Sequence, residues 1–93
     1  MAENADRAAA MLRTLANPNR LMILCSLIEG ERSVGELNQG IPLSQSALSQ
    51  HLARLRQEGL VATRRDAQSI FYRIENEEAI KLIESLYELY CRP

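Results

Sequence analysis

The 93-residue sequence predicts a mainly α domain with one β-hairpin, and three features point there. Apolar residues recur at helical spacing over four separate stretches, helix-start signals stand at Asn17-Pro18, Ser33 and Ser44, and one alternating, β-branched segment lies between Leu60 and Ile74. A chain of this length forms a single domain over 1–93 and buries only about 60% of its unfolded surface, so size alone favours a partner subunit.

The first helix is expected between about Ala5 and Ala16, where Ala8, Met11, Leu12, Leu15 and Ala16 form one apolar stripe. Asn17 then caps a second helix that begins with Pro18, a residue tolerated where no donor is needed, and runs to about Glu29 before Gly30 provides the exit. Leu21, Met22, Ile23, Leu24, Cys25, Leu27 and Ile28 leave this helix almost no polar face, as befits the centre of a small bundle. Ser33-Val34-Gly35-Glu36 fits a capping box that starts a short third helix, broken near Gly40-Ile41-Pro42.

Ser44 caps a fourth helix in which Leu48, Leu52 and Leu55 make the apolar seam, leaving Gln45, Ser46, Ser49, Gln50 and Arg54 largely off it. Two helices joined by a Gly- and Pro-containing turn, the second with a polar outer face of small residues, form a helix-turn-helix pattern; an ordinary helical hairpin is the plain alternative. After Gly59, the runs Leu60–Arg65 and Ser69–Ile74 flank Asp66-Ala67-Gln68 as a hairpin with arginines near its tip, which is the form of a wing that touches phosphates or the minor groove. The last helix, from about Glu77 to Cys91, carries two stripes: Ile80, Ile83, Tyr87 and Tyr90, and Leu82, Leu86 and Leu89. One stripe can pack on the chain's own core while the other, with the first helix, meets a second copy, so helices 5–16 and 77–91 are the expected homodimer interface.

Charge distribution sharpens the reading. The whole chain carries a formal −1, which by itself argues against a nucleic-acid partner. Between Ser44 and Ile74, however, five arginines (Arg54, Arg56, Arg64, Arg65, Arg73) face two acids (Glu58, Asp66), a net +3 that leaves −4 for the remainder. Positive charge gathered on one segment is the footprint of a phosphate-contacting surface, against the alternative of a solvated charged face. Gln45, Ser46, Ser49 and Gln50 suit base edges, since Gln pairs bidentately with adenine and Ser serves donors or acceptors. Ser44 at the cap, His51, Arg54, Arg56, Arg64, Arg65 and Gln68 complete the candidate DNA contacts, mostly to phosphate or the minor groove.

No apolar run approaches membrane-spanning length and the N-terminus lacks the basic flank and apolar core of a secretion signal, so a cytosolic, non-membrane protein is expected. Two cysteines, Cys25 and Cys91, are too few for a secreted disulfide framework. A thiol oxidoreductase, the enzyme alternative, calls for a Cys-x-x-Cys motif and an α/β pattern, and the sequence has neither.

Over almost its whole length the chain resembles the ArsR/SmtB family of winged helix-turn-helix regulators, through Leu15-Ala16-Asn17-Pro18-Asn19-Arg20-Leu21-Met22-Ile23-Leu24, Ser33-Val34-Gly35-Glu36-Leu37, Leu43–Leu52 and Leu55–Val61. The resemblance implies a homodimer on double-stranded, pseudo-palindromic operator DNA, usually a repressor, with each fourth helix in a major groove. It is not an enzyme family. The thiolate motif that metal sensors of the family place on the third helix is absent, the last helix has no His, and Glu84 and Glu88 alone make a poor zinc cage, so no metal site and no cofactor are expected. Cys25 and Cys91 are instead placed as in the persulfide-sensing BigR/SqrR-like subgroup, which implies that reactive sulfur species link the two thiols by a di- or polysulfide and weaken DNA binding. The sequence is also similar to HlyU-type activators that displace another repressor, and an inert core thiol remains the alternative for Cys25.

Overall fold

The computed structural model describes residues 2–91. The elements follow in the order α1 (Ala2–Leu15), α2 (Pro18–Ile28), β1 (Arg32–Ser33), α3 (Val34–Gly40), α4 (Gln45–Gln57), β2 (Val61–Asp66), β3 (Ser69–Ile74) and α5 (Glu77–Leu86), which runs into a π-helical turn, Tyr87–Cys91.

Local chemistry sets most of the boundaries. Asn17 Oδ1 accepts from the backbone N–H groups of Asn19 and Arg20 at 3.0 and 3.1 Å, and Pro18 follows at the first helical position. Ser33 and Glu36 form the expected reciprocal capping box, with the Ser33 N–H donating to Glu36 Oε1 at 2.8 Å and the Glu36 N–H donating to Ser33 Oγ at 3.2 Å. Ser44 caps α4 by accepting from the Ala47 N–H at 3.1 Å. At its other end α4 closes in a Schellman motif: the Leu60 N–H reaches Leu55 O (2.9 Å) and the Gly59 N–H reaches Arg56 O (3.1 Å), with Gly59 at φ +77°. That left-handed residue turns the chain directly from α4 into the hairpin.

The core lies between the helices. Leu48, Leu52 and Leu55 on α4 are fully buried against Ile23, Leu24 and Leu27 of α2, Leu37 of α3, and Ala79 and Ile83 of α5. Each such leucine is worth about 2–5 kcal/mol against truncation to alanine. The apolar seam predicted for α4 is therefore the face that anchors it, which leaves the opposite face to solvent.

Two expectations need correction. The hairpin is part of a three-stranded sheet in the order β1-β3-β2, because Arg32 and Ser33 pair antiparallel with Tyr72 and Phe71. Two residues are too short a run to register as a strand, and Ser33 doubles as a helix cap. The last helix is also not α-helical to Cys91: it widens at Tyr87, whose hydroxyl donates at 3.1 Å to Oε2 of Glu29, the residue that caps the end of α2. Along this segment Ala79 and Ile83 are buried and Leu86 half-buried, whereas Leu82, Leu89 and Tyr90 remain exposed, so Tyr90 departs from the stripe in which its spacing had placed it.

Hairpin register runs from Val61↔Ile74 to Asp66↔Ser69, leaving Ala67 and Gln68 as a two-residue turn. Ala67 sits at φ +58°, a left-handed conformation that L residues adopt at a cost.

Candidate nucleic-acid interface and thiol pair

The α4 side chains assigned to base reading emerge on one solvent-facing side. Gln45, Ser46, Ser49 and Gln50 are exposed, as are Ser44, Arg54 and Arg56, while His51 is half-buried at the edge of the seam. Ser44 Oγ accepts from the Ala47 N–H, so it is first of all a cap, with its O–H and a second lone pair left for a further contact. Arg64, Arg65 and Gln68 are exposed along the hairpin and at its tip.

The arginines are not equivalent, a distinction that sequence alone did not draw. Arg64 Nε donates to both oxygens of Glu31 at 2.8 and 3.0 Å, and its guanidinium lies 4.7 Å from the centre of the Phe71 ring, its cross-strand partner. Arg54 pairs with Glu58 one helical turn on, and Arg73 with Glu75 at 3.2 Å. Among the described residues Arg56 and Arg65 make no ion pair. The net positive charge that the segment offers to an approaching polyanion is accordingly concentrated at the end of α4 and at the hairpin tip. Glu31, Phe71 and Glu58 are partners of the candidate arginines that sequence reasoning missed. Only the i, i+4 spacing of Arg54 and Glu58 signalled such a pair in advance.

The second site joins α2 to the end of the π-helical turn. Cys25 is half-buried and Cys91, at the end of the π-helical turn, is exposed; both are free thiols. Residues 66 positions apart in sequence are thereby near enough for the Cys91 thiol to act on Cys25. Burial pushes the Cys25 thiol from 9.0 up to about 11, and the adjoining Cys91 and the Glu29 carboxylate push in the same direction. Cys25 is therefore protonated at neutral pH, and the thiol open to solvent is Cys91. The Tyr87 hydroxyl is raised chiefly by its hydrogen bond to the Glu29 carboxylate and by that carboxylate's charge, with both thiols pushing the same way. No group of three or more His, Cys, Asp or Glu able to hold a metal is found among the described residues, and no helix among them is long and apolar enough to cross a membrane.

A third feature is a groove between α1 and α5, lined by Ala8, Met11, Leu12, Leu60 and Leu82, with Glu58 at one side. Leu12 is 56% exposed and Leu82 38%. Leucines of two helices left side by side in water form the face for which the first helix and the second stripe of the last helix were expected to need a partner.

Comparison with known proteins agrees with this geometry. Residues 17–63 match the family described as bacterial regulatory protein, arsR family. The chain is 51% identical over 92 residues to the transcriptional activator HlyU of Vibrio cholerae, covering 99% of this chain and 85% of that protein. The solved structure of reduced HlyU superposes with a TM-score of 0.94 over 99% of this chain and 97% of that one. A biofilm growth-associated repressor of Agrobacterium fabrum is 48% identical over 93 residues, covering 100% of this chain and 80% of its own length. The crystal structure of the transcriptional repressor BigR from Xylella fastidiosa, 47% identical, gives a TM-score of 0.90 over 98% of this chain and 90% of that chain. Helix order, the capped α3–α4 pair, the hairpin and these likenesses converge: the chain belongs to the arsR family of bacterial regulatory proteins and is a DNA-binding transcription regulator of winged helix-turn-helix form, not an enzyme.

Proposed function

We propose that this protein is a cytoplasmic homodimeric repressor that leaves its operator when reactive sulfur species join Cys25 to Cys91. Two copies meet through α1 and the α5–π-turn segment, bringing the exposed Leu12, Leu82 and Leu89 out of water. Each α4 enters a major groove, where Gln45, Ser46, Ser49 and Gln50 meet base edges. Ser44, His51, Arg54, Arg56, Arg64, Arg65 and Gln68 meet phosphate or the minor groove, with Arg56 and Arg65 carrying most of the electrostatic share.

The observation that carries the sulfur reading is the pairing of an exposed thiol at the end of the π-helical turn with a half-buried one on the central helix. Packing accounts for a cysteine at 25 but gives no reason for one at 91. In the chemistry that fits, the exposed Cys91 thiolate attacks the outer sulfur of a low-molecular-weight persulfide, taking that sulfur and releasing the parent thiol. Cys25, on losing its proton, attacks the Cys91 sulfur and expels hydrogen sulfide, which leaves a disulfide. If both cysteines first become persulfides, attack of one on the other expels hydrogen sulfide and leaves a trisulfide. Each route is balanced by the persulfide as the oxidant. A link between α2 and the end of the last helix alters the packing that holds the two α4 helices about 34 Å apart, the spacing of successive major-groove faces.

A second reading has its own support, since the 51% identical relative is an activator. The protein could occupy DNA to displace a repressor, with the same thiols modulating that occupancy. A site is obtained by selection from a random duplex pool, and intact mass spectrometry then follows the reaction of the wild type, Cys25→Ser and Cys91→Ser with glutathione persulfide. A cross-link in the wild type, showing the loss of two hydrogens with or without an added sulfur and absent from either variant, supports the thiol pair. Wild-type thiols that stay unlinked overturn it.

A further inference from the structure

Thr14 is the one polar side chain in the core among the described residues, 4% exposed beside Leu15. A valine would fill the same space without a hydroxyl to satisfy. Thr14 Oγ1 donates to Glu58 Oε1, with the Ala10 carbonyl 3.3 Å away as a second acceptor. The other carboxylate oxygen of Glu58 accepts from Arg54 Nε. Glu58 is the capping residue of α4, immediately before the left-handed Gly59 that turns the chain into the wing. One carboxylate thus ties the end of α1 to the last turn of the reading helix.

Its surroundings favour a charged carboxylate. The Thr14 hydroxyl and then the Arg54 guanidinium hold Glu58 below the usual carboxylate range, and Arg20 adds its charge. Arg20 Nε is itself buried without a hydrogen-bond partner, so removal of the Glu58 charge would leave that guanidinium less compensated as well.

We infer that Glu58 is a positioning residue for DNA reading: by gripping Thr14 and Arg54 together it fixes the angle of the α4 C-terminal turn on α1, and with it the aim of the polar α4 face. The bond is directional and charge-assisted, so it adds an angular restraint at the α4 C-terminus to the non-directional packing of the leucine seam. Sequence discrimination therefore depends on it more than overall affinity does.

The test compares the wild type, Thr14→Val, Thr14→Ser and Glu58→Gln on a duplex carrying the selected site and on a scrambled duplex of equal length, at several salt concentrations, with Tm measured in parallel. Thr14→Val and Glu58→Gln should each lower the ratio of selected-site to scrambled affinity about tenfold, the size of one charge-assisted hydrogen bond. Thr14→Ser, which keeps the hydroxyl, should retain the ratio. Glu58→Gln alone should also steepen the salt dependence as Arg54 is released to phosphate. An unchanged ratio in both Thr14→Val and Glu58→Gln would overturn the inference, even if Tm falls. So would a Glu58→Gln variant that binds both duplexes equally more tightly, since the carboxylate would then only mask Arg54. A Thr14→Ser variant that loses discrimination as Thr14→Val does would overturn it too.

Discussion

Replacing Arg65 and Arg64 in turn by glutamine separates two residues that are adjacent in sequence but differ in surroundings. Arg65 has no ion-pair partner among the described residues, so it contributes a full counterion-releasing contact wherever it meets phosphate. Each phosphate contact adds about 0.9 to the slope of log affinity against log salt. In a dimer Arg65→Gln removes two such contacts, about 1.8 in slope. Over a fourfold change in salt, that slope corresponds to about tenfold in affinity. Arg64 is held by Glu31 at 2.8 and 3.0 Å and stacked on Phe71 at 4.7 Å, so its charge is already balanced. Arg64→Gln should shift the slope by less than half as much and act mainly by loosening the hairpin. Fluorescence anisotropy on a random duplex between about 50 and 200 mM salt suffices, because the backbone term is independent of sequence. An Arg64→Gln variant with a slope change equal to or larger than that of Arg65→Gln would refute the assignment.

Other consequences follow from the same geometry. Gly59→Ala meets no atom within 4 Å but must hold φ +77°, so it should cost about 1 kcal/mol and lower Tm by about 5 °C in thermal melts. Gly40→Ala, at a helical position with equally open space, should leave Tm unchanged or higher. Because the fold raises the Cys25 thiol from 9.0 to about 11, its contribution to stability is intact below pH 9 and is lost as pH rises from 9 towards 11. Urea midpoints should fall across that window in the wild type and less in Cys25→Ala, and thiolate absorbance in Cys91→Ser should titrate between 9 and 11. Leu82→Glu places a charge on the groove lined by Met11 and Leu12 and should give a monomer by sedimentation, with weaker DNA binding. A dimer that survives this change would remove α1–α5 as the interface.

Much of this was legible in the sequence, for reasons that differ from residue to residue. Asn17, Ser33 and Ser44 act on amides two or three positions away, so their caps could be read locally, and Leu48, Leu52 and Leu55 declare their shared face by spacing alone. The α4 candidates came out on the solvent side because that seam is buried. What stayed hidden depends on distant partners. β1 exists only because Arg32 and Ser33 find Tyr72 and Phe71. Arg64 is neutralised by Glu31, 33 residues earlier, and Thr14 finds Glu58, 44 residues later. The π-helical turn breaks the 3.6-residue period that had carried the prediction to Cys91, and its first residue, Tyr87, is held by Glu29 at the end of α2.

The central claim is that joining Cys25 to Cys91 releases DNA. It is tested most directly by anisotropy on the selected operator duplex before and after glutathione persulfide, with intact mass spectrometry on the same samples and a reductant added last. Binding should be lost in step with the intramolecular cross-link and return when reductant removes it, with Cys25→Ser and Cys91→Ser still bound throughout. Full operator binding by a protein whose mass shows the completed cross-link would contradict it.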